Sequence, residues 1–224
     1  MSVLFEPPPR FSGLPEPGFQ VFSIEDRDAR REAIVEAFHP ALRDLGEDLC
    51  ARLVRSEHEE RPLHVHLPRL DWPRGYQPFC TWLALSRESH GYQAGPQLNV
   101  GVHFDHVAVR LAWDVAADGF GRFEFLCRRG NLSDELRGLA SAERLQFRVY
   151  AAAPWPVGSR CVFESDDDID GSFGASNRRG VWWELGRRFE LPADAAIVHG
   201  RELGTEALRI FRAVLPTYDR ITGG

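Results

Sequence analysis

The sequence contains no lysine, and all 27 of its basic residues are arginine. Such a uniform bias reflects the base composition of a GC-rich genome, so the presence of arginine in place of lysine does not mark any single position as functional. The formal net charge of −6 argues against broad electrostatic attraction to a phosphate backbone. A local basic stripe is still compatible with that charge, so nucleic acid remains a secondary hypothesis as a partner.

Cysteine is sparse, and long apolar runs are absent. The four cysteines are widely spaced and never form a C-x-x-C pair, which excludes a zinc knuckle or a disulfide framework and predicts buried thiols. No stretch approaches the roughly 20 apolar residues that cross a bilayer, and no basic segment followed by an apolar run opens the chain. We therefore expect a cytoplasmic protein with no membrane partner.

The common catalytic motifs are also missing. The sequence has no G-x-S-x-G, no G-x-x-x-x-G-K and no G-x-G-x-x-G that opens a helix. Neither a catalytic triad nor a pair of carboxylates is visible, so no mechanism can be nominated. This favours a non-catalytic role without deciding whether the protein is an enzyme.

The length of 224 residues suits one compact core. Prolines concentrate between Glu6 and Pro17, where each fixes φ and lacks an N–H. We expect residues 1–18 to be an extended lead-in outside the core, and residues 19–224 to be a single α+β domain.

Two long helices are predicted near the ends of this domain. The segment Ser23–Asp26 has the form of a capping box, and apolar residues then recur at helical spacing from Ile34 to Leu53. Pro40 falls inside that pattern and predicts a kink or break. A closing helix is predicted for Glu202–Leu215, ended by Pro216.

The most informative segments pair as a hairpin, Gln97–His103 against His106–Ala112, across a two-residue turn at Phe104 and Asp105. Valine and leucine pairs then occupy one face, and the other face carries the pairs His103/His106, Gly101/Ala108, Asn99/Arg110 and Gln97/Ala112. Such strict alternation fixes the register when one face is buried.

The remaining segments complete an antiparallel sheet. Strands are predicted at Phe79–Ser86, Phe120–Leu126, Leu145–Ala152, Cys161–Glu164 and Val181–Phe189, and a short helix at Ser133–Ala140. Mostly sequential strands between two helices predict a two-layer α+β fold, in which N-terminal and C-terminal helices pack on a central antiparallel sheet.

The chain resembles the YktB-like family, also called DUF1054 or UPF0637. The resemblance is carried by Phe19-Gln-Val-Phe22-Ser-Ile24, Asp28-Ala29-Arg30-Arg31, Pro40, Leu45-Gly46, Trp82, Gly91-Tyr92, Pro96, Gly101 and His106, and more weakly by Val181–Leu191 and the closing helix. It implies an α+β fold with a central antiparallel sheet and implies no particular reaction. The sequence departs from the family pattern in its proline-rich lead-in and at Ser165–Gly180, which is acidic and glycine-rich.

A ligand site is predicted on the polar side of the hairpin. Trp82, Asn99, Arg110 and His106 would place an aromatic platform, an amide, a guanidinium and an imidazole in one concavity. Our leading hypothesis is a binding protein that holds a small anionic ligand or a partner there. The alternative without a ligand is that Trp82 belongs to the hydrophobic core and Arg110 pairs with a carboxylate.

A divalent cation is the alternative ligand. His103 and His106 would be cross-strand neighbours, with Asp105 in the turn and His64 or His66 as further ligands, which suggests a metal-assisted hydrolase. Exposed hairpin-tip side chains with no ligand are the competing interpretation, because no helix-borne histidine pair fixes the spacing.

A second cation site is suggested by Asp166, Asp168 and Asp170 followed by Gly171, which match D-x-D-x-D-G. The twelfth position of such a loop is Asn177 and not glutamate, and no helices are predicted on either side. The alternative is a solvated acidic turn.

Nucleic-acid binding is the third hypothesis, through Arg27, Arg30 and Arg31 in the first turn of the first helix. Cations there oppose the helix dipole unless an anion approaches. The neighbouring Glu25, Asp26 and Asp28 offer the alternative of a solvated, salt-bridged turn.

Overall fold

A computed structural model describes residues 9–53, 62–71, 78–91, 93, 95–115, 119–151, 160–176 and 181–223. Within this part of the chain, seven strands form one sheet in the order β1-β2-β3-β4-β7-β5-β6, and every neighbouring pair is antiparallel. The strands are β1 His64–His66, β2 Cys80–Ser86, β3 Gln97–His103, β4 His106–Asp114, β5 Gln146–Ala151, β6 Arg160–Ser165 and β7 Val181–Glu190.

The helices follow the same chain order. After a 3₁₀ helix at Glu16–Ser23, they are α1 Arg27–Leu53, α2 Phe120–Arg129, α3 Leu132–Glu143, α4 Ile169–Ser176, α5 Ala195–Val198 and α6 Glu202–Thr222. None of these helices is long and apolar enough to span a membrane.

The β3–β4 hairpin has the predicted register. Asn99 faces Arg110, Gly101 faces Ala108, and Gln97 faces Ala112. The valines and leucines on the opposite side of both strands are completely buried. Alternation of aliphatic and polar residues therefore does set the register here.

Among the described residues, helices α1–α6 pack on the aliphatic side of the sheet, which we call the apolar face, or on one another. Trp113 and Trp183 contact Phe123 of α2, and Trp183 donates a hydrogen bond to Ser172 of α4 at 2.8 Å. His39 of α1 bonds Thr81 of β2 at 3.0 Å on the same side. The two-layer α+β architecture predicted from the sequence is confirmed.

The predicted strand at Phe120–Leu126 is wrong, because this segment belongs to α2. Phe120, Phe123 and Cys127 are buried at helical spacing, whereas Phe125 is 62% exposed. The phenylalanines favoured a strand by propensity, and packing of one helical face against the core overrides that preference.

The start and the middle of α1 also differ from the predictions. Asp26 and not Ser23 caps α1, since its carboxylate accepts the Ala29 N–H at 2.8 Å. The structure assigns α1 as one helix through Pro40, with Phe38 and Leu42 fully buried on either side.

The closing helix α6 continues past Pro216 to Thr222. Tertiary contacts fix its last turns, because Tyr218 accepts the Arg87 N–H at 2.8 Å and Asp219 pairs with the Arg87 guanidinium at 2.8 Å. Such contacts offset the backbone hydrogen bond that a proline removes.

Part of the predicted lead-in lies in the core. Phe11 and Leu14 are 3% and 2% exposed, and the Leu14 N–H bonds the Val198 carbonyl at 3.0 Å. The expectation that this segment lies outside the core is therefore wrong for these two residues, while the domain boundary near residue 18 stays a prediction.

Two helical glycines provide a test of the packing of α1 on the sheet. A Cβ at Gly46 would lie 2.8 Å from side-chain atoms of Leu83 and Val65, whereas one at Gly138 in α3 would meet nothing within 4 Å. Gly138→Ala should raise the free energy of unfolding by up to about 1 kcal/mol. Gly46→Ala should lower it by about 1 kcal/mol, because overpacking outweighs the gain in helix propensity. Urea unfolding measures both, and equal stabilisation would contradict the close approach of α1.

Candidate functional site

The side of the sheet opposite the helices, which we call the polar face, carries the predicted ligand residues. Trp82 faces Gly101, Gly101 faces Ala108, and Ala108 faces Arg188 on β7. In the next row Asn99 faces Arg110, which faces Gly186. The structure thus brings Trp82, Asn99, Arg110 and His106 to one face.

The polar face is concave. Tyr150 lies opposite Trp182, six positions along β7 from Arg188, yet its hydroxyl accepts a hydrogen bond from Arg188 and its ring lies 5.4 Å from the guanidinium carbon. Six strand residues span roughly 20 Å, which is more than these two side chains can bridge over a flat sheet. The side chains of Arg188 on β7 and Tyr150 on β5 therefore converge over the stretch of sheet between them.

Small residues leave room beneath these side chains. A Cβ at Gly101 would lie 3.0 Å from Arg110 Nη2 and 3.3 Å from His103 Nε2. A Cβ at Gly186 would collide with the backbone of Val109 and Arg110. The guanidinium and the imidazole can lie low over the sheet because neither position carries a side chain.

A buried ion-pair network occupies the centre of the polar face. Glu184 is only 1% exposed and pairs with Arg110, whose Nε donates to Asn99 at 3.1 Å. Arg148 lies 3.9 Å from the second oxygen of Glu184 and donates to Glu164 at 3.0 Å. Buried charges persist when they are paired, so these contacts hold Arg110 and Arg148 in place.

Arg188 differs from these two arginines. Among the described residues it has no carboxylate within 4 Å, and its Nε is buried without a hydrogen-bond partner. Burial, and then the charges of Arg148 and Arg110, lower the pKa of Arg188 to about 10. The guanidinium therefore remains protonated at neutral pH, and no carboxylate within the described part of the chain forms an ion pair with it.

His103 and His106 stack beside these arginines, with ring centroids 4.3 Å apart and ring planes 8° apart. His106 Nδ1 bonds Asp105 at 2.6 Å, which leaves Nε2 of a neutral His106 as an acceptor. The Nε2 atoms of both rings are buried without a partner in the described structure. Burial lowers the pKa of His106 to about 4 and that of His103 well below its usual value.

The predicted metal ligands do not converge. Parallel stacked imidazoles direct their in-plane nitrogen lone pairs side by side and not at one point. His66 lies opposite Ala84, four residues along β2 from the partner of His103, and bonds the Glu88 carbonyl at 2.9 Å. In the part of the chain that the structure describes, no group of three or more His, Cys, Asp or Glu side chains is placed to hold a metal ion.

The acidic segment begins a helix. Asp168 accepts the Gly171 N–H at 2.8 Å and caps α4, and Asp170 pairs with Arg137 of α3 at 2.7 Å. The expectation that no helix adjoins this segment is wrong. The structure does not bring the carboxylates of Asp166, Asp168 and Asp170 together, and Asn177 lies outside the described residues.

The arginines in the first turn of α1 are engaged within the protein. Arg27 pairs with Asp28 at 3.1 Å, Arg31 pairs with Asp71 at 3.2 Å, and Arg30 donates to the Ile24 carbonyl at 2.6 Å. These contacts fit the salt-bridged alternative better than a phosphate-binding surface. Nucleic-acid binding remains a prediction without structural support.

Sequence reasoning missed the β7 and β5 residues of the polar face. Glu184 and Arg188 alternate with the buried Leu185 and Phe189, so the period-two pattern marks them as polar-face residues. What the pattern does not reveal is that β7 pairs with β4 and β5, a pairing between distant segments.

The fold and the site define a two-layer α+β protein with a charged, concave sheet face. Residues 15–117 match the model of a domain of unknown function, DUF1054. The resemblance to the DUF1054/UPF0637 family is therefore confirmed over this part of the chain, which includes β1–β4.

Several curated relatives carry the name UPF0637 protein. One from Oceanobacillus iheyensis is 35% identical over 103 residues, which are 45% of this chain and 48% of that protein. Another from Exiguobacterium sibiricum is 30% identical over 95 residues, 42% of this chain and 46% of its own length. A third from Listeria monocytogenes is 30% identical over 105 residues, with shares of 46% and 50%. The chain spans about half the length of the curated relatives it matches.

The buried imidazoles predict a loss of stability in acid. The unfolded chain takes up a proton at His106 near pH 6.5, whereas the folded protein does so only near pH 4. The free energy of unfolding should therefore fall as the pH falls from 6.5 to 4, by up to about 3 kcal/mol from this residue. His106→Gln should flatten this dependence, which urea unfolding at several pH values measures. An unchanged slope in His106→Gln would contradict the burial of the imidazole.

Replacement of the capping carboxylate tests the role of the acidic segment. Asp168→Ala should lower the free energy of unfolding by about 1 kcal/mol, and Asp166→Ala should change it little, because only Asp168 caps α4. Calorimetry with millimolar calcium should give no binding heat for the wild-type protein. Calcium binding that both substitutions weaken would instead identify a cation loop.

Proposed function

We propose that this protein binds a small anionic ligand on the polar face of its sheet. Arg188 supplies the charge that attracts the ligand. Asn99, Arg110 and His106 complete the proposed site, and Trp82 lies on the same face three strands away.

The observation that carries this proposal is that Arg188 has no carboxylate partner among the residues that the structure describes. Desolvating a guanidinium is costly unless a counter-charge compensates it. Glu190 and Asp105 are near enough to raise its pKa but lie beyond ion-pair distance. An anion that accepts from the buried Nε would supply the missing partner, and charge-assisted bonds of this kind are the strong ones.

The neighbouring residues strengthen the case. Arg110 is anchored by Glu184 and Asn99, so its position is fixed before any ligand arrives. Fixed donors bind more tightly because less side-chain freedom is lost on binding. The unpartnered Nε2 atoms of His103 and His106 add hydrogen-bonding capacity beside the cation.

A metal-assisted hydrolase centred on His103, Asp105 and His106 receives no comparable support. Zinc or manganese added to protein purified without an affinity tag should leave the melting temperature unchanged. His106→Ala should leave metal content unchanged and should reduce the anion-induced shift of the melting temperature.

Anion binding is tested by thermal unfolding with sulfate, phosphate and acetate at constant ionic strength. Each anion that prefers the folded state should raise the melting temperature of the wild-type protein. Arg188→Met should weaken binding by roughly 10- to 100-fold, the effect of losing one charge-assisted pair. The matched control is Arg122→Met, which removes an exposed arginine from the helix layer.

Arg188→Lys separates charge from geometry, since it keeps the charge and loses the planar fork. We expect Arg188→Lys to bind the anions with an affinity between those of the wild-type protein and Arg188→Met. Its midpoint of urea unfolding should lie close to that of Arg188→Met. Anion-induced shifts that are equal in wild-type, Arg188→Met and Arg122→Met proteins would contradict the proposal.

A further inference from the structure

His106 and Arg188 are diagonal neighbours on the polar face. His106 lies opposite Glu190 on β7, and Ala108, two residues further along β4, lies opposite Arg188. The Cβ atoms of such diagonal neighbours are roughly 7 Å apart, which long side chains can span. After burial, the charge of Arg188 is the largest influence that lowers the pKa of His106. The imidazole and the Arg188 side chain therefore border the same region above Ala108.

Stacking sets the direction of the His106 ring. A Cβ at Gly101 would lie 3.3 Å from His103 Nε2, so the His103 ring leans along β3 over Gly101. The His106 ring is parallel to the His103 ring within 8°, at a centroid distance of 4.3 Å. It therefore leans the same way along β4, over Ala108, which lies opposite Arg188.

The unpartnered atoms of this pair have opposite hydrogen-bonding roles. Arg188 Nε carries an N–H that can only donate, and it is buried without a partner in the described structure. His106 Nδ1 donates to the Asp105 carboxylate at 2.6 Å, and a pKa of about 4 keeps the ring neutral at pH 7. The other nitrogen, Nε2, can therefore only accept. One ligand satisfies both atoms only if it offers an acceptor to Arg188 and a donor to His106.

The charges around this pair orient such a ligand. Arg110 and Arg148 lie towards the centre of the polar face, opposite β7 residues that precede Arg188 in the chain. Two carboxylates, those of Asp105 and Glu190, lie at the hairpin end, next to the imidazole. They repel an anion there but do not repel a neutral donor. The anionic group of the ligand is therefore expected at Arg188, with its uncharged donor towards the hairpin end.

We infer that the ligand of the polar face is a small 2-hydroxycarboxylate, whose carboxylate accepts from Arg188 Nε and whose hydroxyl donates to His106 Nε2. The hydroxyl is on the carbon next to the carboxylate, so one small molecule presents an acceptor and a donor side by side. A plain carboxylate would leave the buried acceptor of His106 unpaired, which is unfavourable. This inference rests on the anion site proposed above and assigns the ligand class of that site.

Calorimetry at pH 7 and constant ionic strength tests the inference with glycolate, methoxyacetate and acetate. Methoxyacetate has the ether oxygen in place of the hydroxyl of glycolate and so cannot donate, and acetate lacks that oxygen altogether. Glycolate should bind the wild-type protein about tenfold more tightly than either of the others, the factor expected for one buried hydrogen bond. Arg188→Met should weaken the binding of all three.

Replacement of the imidazole separates the hydroxyl from the charge. His106→Phe keeps an aromatic ring next to His103 and removes the acceptor, so it should bring glycolate to within about twofold of methoxyacetate. His64→Phe is the matched control, since His64 is a half-buried histidine on the edge strand of the same face, opposite Ser86. It should retain the preference for glycolate. Urea unfolding of each variant separates lost binding from lost folding.

Equal affinities for the three probes in the wild-type protein would overturn the inference, as would a preference for glycolate that survives in a folded His106→Phe protein. Phosphate also carries an O–H at pH 7, and phosphate that binds more tightly than glycolate through both residues would overturn the assignment of a carboxylate. In each case, binding that depends on Arg188 leaves the proposed anion site intact. If no anion binds in a manner that depends on Arg188, the proposed function fails as well.

Discussion

The structure depends on the alternation of side chains along β3, β4 and β7. Aliphatic residues at every second position are buried beneath the helices, so the positions between them must all point to the other side of the sheet. A one-residue shift in register would place arginine and glutamate under the helices, where they would lack partners. The burial of the apolar face therefore both fixes the fold and creates the polar face.

Because the polar face is partly buried, each of its charged side chains needs a particular partner. Curvature and small residues allow long side chains to lie over the sheet, and each buried charge must then find a partner. Glu184 forms an ion pair with Arg110 and lies close to Arg148. Glu164 on the edge strand β6 forms an ion pair with Arg148. Arg188 is the arginine of this set for which the described residues provide a tyrosine and no carboxylate. The proposed function follows from this imbalance of charge.

The sequence predicted the parts of the fold that depend on local pattern. The register of β3 and β4, the strand at Cys80–Ser86 and the helix at Leu132–Glu143 follow from periodicity and short connections. The aromatic residues of Phe120–Leu126 predict a strand where the structure has part of α2. Pro216 predicts a helix end where α6 continues, because the contacts that hold its last turns come from residues far away in sequence.

The candidate site, like the fold, was predictable only where it depends on local pairing. Trp82, Asn99, His106 and Arg110 lie on segments whose pairing is local, within the region shared with the DUF1054 family. Arg188 comes from β7, which joins the sheet through a pairing that no local pattern specifies. Composition and spacing do not reveal which of many arginines lacks a carboxylate, because that depends on three-dimensional neighbours.

The most direct measurement is a nitrogen-15 NMR titration of the arginine side chains with acetate. If the polar face holds an anion at Arg188, the Nε–H resonance of Arg188 should shift with a saturable dependence on acetate, and that of Arg122 should stay in place. An Arg188 resonance that does not respond while the protein binds acetate elsewhere would contradict the account.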